Sequence, residues 1–304
     1  MTTMRLGLAL PQYGPQADPA GIARFAAAAE ALGYESLWTG DRVLTPVEPS
    51  DLYPGGTPEQ PYPPEFTTFA DPLVVLTVAA TATTTARLGT STLIGTLYPP
   101  VLLARTLTTL DLLSGGRLDA GLGIGWMRDE YAAAGVPWAA RGERLEELLD
   151  VLDAFWASPT VAHDGKLWRI PPSHVGLRPA QRPRPPVLLG GHSAAAIDRV
   201  GRRADGWLPA GVPAEMLRRQ WETIRATAER AGRDPDGLRR VVRLNPQAGT
   251  ALETVAAQLA GALDVGVTEA FVDLHYLADD VEHALDLAGE LWDLTHSDSP
   301  GSLR

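Results

Sequence analysis

Along this chain, short apolar runs alternate with longer stretches in which apolar residues return every third or fourth position. Residues 87–126 show one complete unit of the pattern. Residues 88–94, rich in Thr, Leu and Ile, read as a buried strand. Pro99 and Pro100 stop that strand and open a helix, where a proline in the first turn loses no needed hydrogen bond. Leu103, Leu107, Leu110 and Leu113 then recur at helical spacing and predict one apolar face. Ser114-Gly115-Gly116 ends the helix, since glycine accepts a left-handed cap. Residues 117–123 form the next strand, and so brief a helical link between strands implies a parallel crossover.

The unit repeats throughout. Further strands are predicted over 5–10, 36–38, 187–190, 205–209, 240–244 and 268–274. Helices are predicted after Asp18-Pro19 to Gly33, from Asp71-Pro72 to Thr84, and over 141–156, 193–203, 214–231, 252–263 and 281–294. Eight strands, each followed by a helix, predict an α/β chain folded as a (β/α)8 TIM barrel, with its chemistry at the C-terminal strand ends. Two connections break the rhythm, as insertions after strands two and four. Residues 43–69 are dense in Pro, Gly and acidic side chains and read as a cover over one end of the sheet. Residues 158–186 read as a long connection holding a hairpin around Asp164-Gly165, and Gly125 to Tyr131 reads as a short helical turn or loop. The barrel is expected to form a single domain over residues 1–296, with 297–304 a disordered tail.

Composition then narrows the chemistry. The 304 residues are 45% hydrophobic and 21% charged, ordinary for a globular chain. A net charge of −11 argues against binding a nucleic-acid backbone, which needs clustered Lys and Arg. With no cysteine, disulfides, thiolate catalysis and Cys-ligated metals are excluded. No apolar run is long enough for a membrane span, and the apolar start lacks a cleavage pattern, so a cytoplasmic location without membrane partners is expected.

The strand ends supply the candidates Gln12, Tyr13, Asp41, Arg42, 91–96, 123–130, 190–193, Asn245 and His275. Gly190-Gly191-His192-Ser193 lies between a strand and a helix start. There, bare backbone N–H groups approached through glycine make a phosphate cradle, although the same residues also suit a tight turn capped by Ser193. Asp41-Arg42 reads either as a functional pair or as an architectural ion pair. Gly121-Leu122-Gly123-Ile124-Gly125 fails the dinucleotide fingerprint, which needs a glycine where Trp126 stands. A hydrolase elbow fails likewise, its last glycine being Ala195. His192 and His275 have no companion carboxylates at ligand spacing, so no metal site is expected.

Taken in order, the blocks LWTGDR, RLGTSTL, LDLLSGGRLDAGLGIGWMRDEY, RGERLEELLDVLDAFW, LRPAQRPRPPVLLGGHS and ADGWLP resemble the luciferase-like monooxygenase family (the bacterial luciferase superfamily), in particular its coenzyme F420-dependent oxidoreductase branch. The resemblance runs from residue 5 to about residue 291. It implies a barrel that binds the deazaflavin F420 or FMN, with the ring over the barrel mouth and the phosphate held by Gly190, Gly191, His192 and Ser193. Ser91-Thr92 matches the place where many members carry a non-proline cis peptide against the ring, and Gly123 would pass beneath it. Residues 43–69 would be a lid. Two departures stand out. Many deazaflavin-dependent members have Asp-His where this chain has Asp41-Arg42. Arginine stays protonated, so Arg42 would stabilise an anion instead of acting as a base. Trp126 stands where the sugar-phosphate dehydrogenase members carry glutamate, and suggests an apolar wall. The implied function is hydride transfer between F420 and a small organic substrate, with Asp41 and Arg42 as catalytic residues and a homodimer as the assembly. An FMN-dependent monooxygenase using reduced flavin and dioxygen stays open, as does a catalytically idle coenzyme binder.

Overall fold

The computed structural model describes residues 4–14 and 17–296, so the predicted tail at 297–304 lies outside the described residues. Strands and helices follow in chain order: β1 (Arg5–Ala9), α1 (Ile22–Leu32), β2 (Ser36–Thr39), α2 (Pro72–Ala82), β3 (Arg87–Thr90), α3 (Pro100–Leu113), β4 (Leu118–Leu122), α4 (Arg128–Ala133), α5 (Arg141–Ala157), β5 (Thr160–Asp164), β6 (Arg169–His174), β7 (Val187–Gly190), α6 (Ala194–Arg203), β8 (Gly206–Leu208), α7 (Ala214–Arg230), β9 (Arg239–Leu244), α8 (Leu252–Asp264), β10 (Glu269–Val272) and α9 (Val281–His296). Eight strands close into a barrel in the order β1-β10-β9-β8-β7-β4-β3-β2, and every neighbouring pair is parallel. The expected TIM barrel is therefore present. β5 and β6 form the antiparallel hairpin expected around Asp164-Gly165, outside the barrel.

Strands buried on both faces need two cores, and the chain supplies them. Outside the barrel, the helices pack on strand residues such as Leu8, Leu37, Leu88 and Val187. Inside it, Trp38, Leu188, Leu208, Val241 and Phe271 form a separate cluster. Trp38 of β2 stacks on Phe271 of β10 at 4.8 Å, across the intervening β1. A side chain at Gly89 would collide with the Trp38 ring, so the glycine makes room for the largest residue of the interior.

Two expectations shift in detail. The third strand is interrupted after Thr90, whose hydroxyl donates to the Gly121 carbonyl and accepts from the Gly121 N–H, and pairing resumes only as a single parallel bridge between Leu93 and Leu122. Leu113 is 54% exposed. The helical period carries it off the stripe of Leu103, Leu107 and Leu110 at the end of α3.

At the N-terminal end of the barrel, charge replaces apolar packing. Asp119 on β4 is fully buried and receives Arg87 from β3 (2.5 and 2.8 Å) and Arg239 from β9 (2.6 and 3.0 Å). Arg239 also holds Glu269 on β10, which takes Arg5 of β1 at 2.5 Å. Burial alone would raise the Asp119 pKa. The hydrogen bonds of Arg87, with the charge and hydrogen bonds of Arg239, outweigh it and hold the carboxyl below its ordinary range. Asp119→Asn is expected to destabilise the fold by about 3–5 kcal/mol in urea unfolding, since two arginines lose their shared counter-charge. Because the folded-state pKa is depressed, the loss should be full above the unfolded carboxyl value and shrink as pH falls towards the folded one.

Candidate active site

The C-terminal strand ends surround a cavity of about 180 Å³ whose lining includes Tyr13, Asp41, Arg42, Tyr53, Phe66, Phe69, Ser91, Thr92, Trp126, Arg243, Asn245 and Tyr276. Its first wall follows β2. Gln12, buried after β1, donates to the Gly40 and Ala70 carbonyls at 3.0 and 2.7 Å and accepts the Gly40 N–H at 2.9 Å. One side chain thus fixes both ends of the 43–69 insertion. Asp41, next to Gly40, accepts the Ile94 N–H at 2.8 Å. Burial, reinforced by the Glu130 and Asp71 carboxylates, pushes its pKa up to about 6 despite that N–H and the Arg42 charge.

Arg42 is 8% exposed and lies between two rings, with its guanidinium carbon 4.8 Å from the Phe66 centroid and 4.7 Å from the Trp126 centroid. Its Nη1 stands 3.6 Å from Glu130 Oε1 and contacts the Met127 sulfur. Glu130 Oε1 also accepts the Val43 N–H, while its Oε2 is buried without a hydrogen-bond partner among the described residues. Burial lowers the Arg42 pKa and raises that of Glu130.

The insertion covers the cavity. Three consecutive residues at the start of α4 hold it: Arg128 binds Asp51, Asp129 accepts the N–H and hydroxyl of Ser50, and Glu130 accepts the N–H of Val43. Ring contacts complete the cover. Tyr53 meets Trp126 and Phe66 edge-on, and Tyr13 stacks on Phe69 at 4.9 Å.

The opposite wall is a polar chain. The Tyr13 hydroxyl donates to Asp273 at 2.8 Å, and Arg243 donates to Asp273 (2.7 Å), to the Ser91 carbonyl (2.9 Å) and to Asn245 (2.8 Å). The Ser91-Thr92 peptide is cis, as the family resemblance implies. His275 packs against the Tyr13 ring at 4.1 Å, and burial lowers its pKa.

Beyond Thr92 lies the turn from β7 into α6. A Cβ on Gly190 would meet Thr92 Cγ2 at 2.9 Å, and one on Gly123 would clash with the Thr92 hydroxyl, so the two glycines flank Thr92. Gly191 has φ +114°, and Ser193 caps the helix by accepting the Ala196 N–H at 3.2 Å. The first turn of α6 carries no acidic side chain, so the helix dipole is left to favour an anion at its start. His192 is fastened elsewhere, its ring to Gln220 at 3.0 Å and edge-on to Trp207.

Nine of the strand-end candidates, Tyr13, Asp41, Arg42, Ser91, Thr92, Ile94, Gly125, Trp126 and Asn245, therefore line one cavity. Gly123 and Gly190 join it through Thr92, while Gly191, His192 and Ser193 form the adjoining turn outside the cavity lining. Sequence reasoning missed Arg243, Asp273 and the lid rings. The available signal was a charged residue at the C-terminal side of the apolar centre of a strand, once in RRVVRL and once just after EAFV. Among the described residues, no group of three or more His, Cys, Asp or Glu could hold a metal ion, and no helix is long and apolar enough to cross a membrane.

Comparison with known proteins agrees with this geometry. A family model described as luciferase-like monooxygenase matches residues 3–297. An uncharacterised protein of Mycobacterium tuberculosis is 32% identical over 277 residues, 88% of this chain and 90% of its own. An FMNH(2)-dependent dimethylsulfone monooxygenase of Pseudomonas putida is 33% identical over 138 residues, 44% of this chain and 38% of its own. Among solved structures, an F420-dependent secondary alcohol dehydrogenase, in complex with an F420-acetone adduct, superposes with a TM-score of 0.77 over 96% of this chain and 99% of its own, at 15% identity. At that identity the likeness shows a common fold.

The crowding of carboxylates gives a direct check. In carbon-13 NMR of the carboxyl groups, Asp41 should titrate near pH 6. In Glu130→Gln its midpoint should move down, because a neighbouring negative charge has gone.

Proposed function

The chain belongs to the luciferase-like monooxygenase family, and from that premise we propose a coenzyme F420-dependent oxidoreductase that moves a hydride between the deazaflavin and an organic substrate. The residues present fit such a coenzyme. The α6 start, with glycines at 190 and 191 where a side chain would meet Thr92 or Ala196, suits its phosphate. The ring-walled cavity beside Thr92 and Trp126 suits its planar end.

The observation that carries the reading is Asp41, a carboxyl with a pKa of about 6 at the cavity wall. When bound, F420 supplies a hydride donor or acceptor. Each hydride moved to or from a carbonyl–alcohol pair needs one proton moved at the substrate oxygen, and Asp41 is placed to give or take it. Glu130 and Arg42 set that proton's affinity from opposite sides, the first raising it and the second lowering it. Gln12 and the Ile94 N–H fix where the carboxyl points, and the lid excludes water. Arg42, held between Phe66 and Trp126, is read as the cavity's fixed positive charge against a developing anion.

The FMN-dependent monooxygenase of Pseudomonas putida keeps a second reading in view, an enzyme that uses reduced FMN and dioxygen. Titration of the purified chain with each coenzyme, followed by fluorescence, separates the two. Micromolar or tighter binding of F420 with weaker FMN is expected; the reverse order overturns the deazaflavin assignment. Ser193→Ala should weaken coenzyme binding about tenfold, the worth of one charge-assisted hydrogen bond.

Asp41→Asn should lower turnover by about 10²–10⁴ with coenzyme binding intact, and unchanged turnover would identify an idle binder. In the wild type, substrate oxidation needs Asp41 ionised, so its rate should fall as pH drops through about 6. Reduction needs it protonated and should slow as pH rises through the same value. A homodimer is proposed as well. α2 has no charged side chain, and Val74 on it is 64% exposed, which suits a face covered by a second copy. Sedimentation equilibrium should return twice the chain mass.

A further inference from the structure

A second cavity, of about 450 Å³, adjoins the first and shares Tyr53, Asn245 and Tyr276 with it. Its roof is the lid segment 53–65. The polar groups lining it are neutral except one: among the described residues around it, Glu65 alone carries a formal charge. Glu65 Oε2 is buried and accepts no hydrogen bond among the described residues, a costly state for a carboxylate oxygen until a donor arrives. Among the described residues, the charged or titratable neighbours that could offset it are Arg243 and His275, the latter in electrostatic contact with Glu65. Arg243 is engaged by Asp273 at 2.7 Å, and burial favours the neutral form of His275. Three tyrosines, Tyr53, Tyr62 and Tyr276, line the same space, and aromatic rings attract cations.

We propose that Glu65 is the specificity-determining residue of this outer cavity and selects an organic substrate bearing a protonated amine. The proposal rests on the oxidoreductase reading and names the substrate class of that site. The ammonium end lies against Glu65 and the tyrosine rings. The rest of the molecule extends past Tyr53, Asn245 and Tyr276 into the cavity that holds Asp41. A carboxylate or sulfonate in the same place would set two negative charges side by side in a partly dehydrated space. A neutral alcohol could donate one hydrogen bond to Glu65 but would bring no charge to offset that of the carboxylate.

The test is calorimetric titration of the purified chain with three probes of one shape: benzylamine, benzyl alcohol and benzoate. The amine is expected to bind at least tenfold tighter than the alcohol, with benzoate the weakest. In Glu65→Gln the amine's advantage should fall below threefold, with F420 and FMN affinities unchanged. Equal binding of the three probes, preference for benzoate, or an amine preference that survives in Glu65→Gln would overturn the proposal. If that variant fails to fold, the wild-type ranking decides alone. Wild type that ranks the probes as expected but binds neither coenzyme would instead overturn the oxidoreductase reading, leaving the selectivity of Glu65 standing.

Discussion

Arg239 reaches across the barrel interior to Asp119, joining two strands that are not neighbours in the sheet. The chain of charges from Arg5 through Glu269, Arg239 and Asp119 to Arg87 ties five strands together at the N-terminal end. Above it the Trp38 and Phe271 rings fill the middle. With floor and middle fixed, the positions of the upper strand ends are settled, and the cavity-lining residues sit there. β9 carries Arg239 at its base and Arg243 near its top. β4 carries Asp119 low and leads to Trp126 above.

The two ends of the barrel treat the same residue types in opposite ways. At the floor a buried carboxylate has two arginines with matched geometry, and its pKa falls. At the mouth Asp41 and Glu130 share a single nearby arginine, and both rise. The difference lies in the count of donors per carboxylate, not in burial, which acts upward on all three. A group that must exchange a proton near neutrality belongs in the undersupplied arrangement.

The barrel was legible because its strands are apolar on both faces and its helices are punctuated by Pro and Gly, so periodicity alone located them. The Gly190 turn and the Asp41-Arg42 pair were legible as polar or flexible residues at strand ends. Leu113 was misjudged because a helical period drifts relative to a simple count of three and four. Arg243 and Asp273 were missed because their partnership spans two strands, and nothing in the sequence of either strand points to the other. The lid's interior had no periodicity to read; its order comes from rings and hydrogen bonds that form only when the barrel places Trp126 and α4 beside it.

The lid's three ties to α4 differ in depth. Asp51–Arg128 and Ser50–Asp129 lie at the surface, while Val43–Glu130 is sheltered beside the buried Arg42. Water and dissolved ions reach the outer pair freely and the inner tie hardly at all. The cover is therefore held most loosely at its rim and most firmly at its root, where Arg42 is gripped between the Phe66 and Trp126 rings.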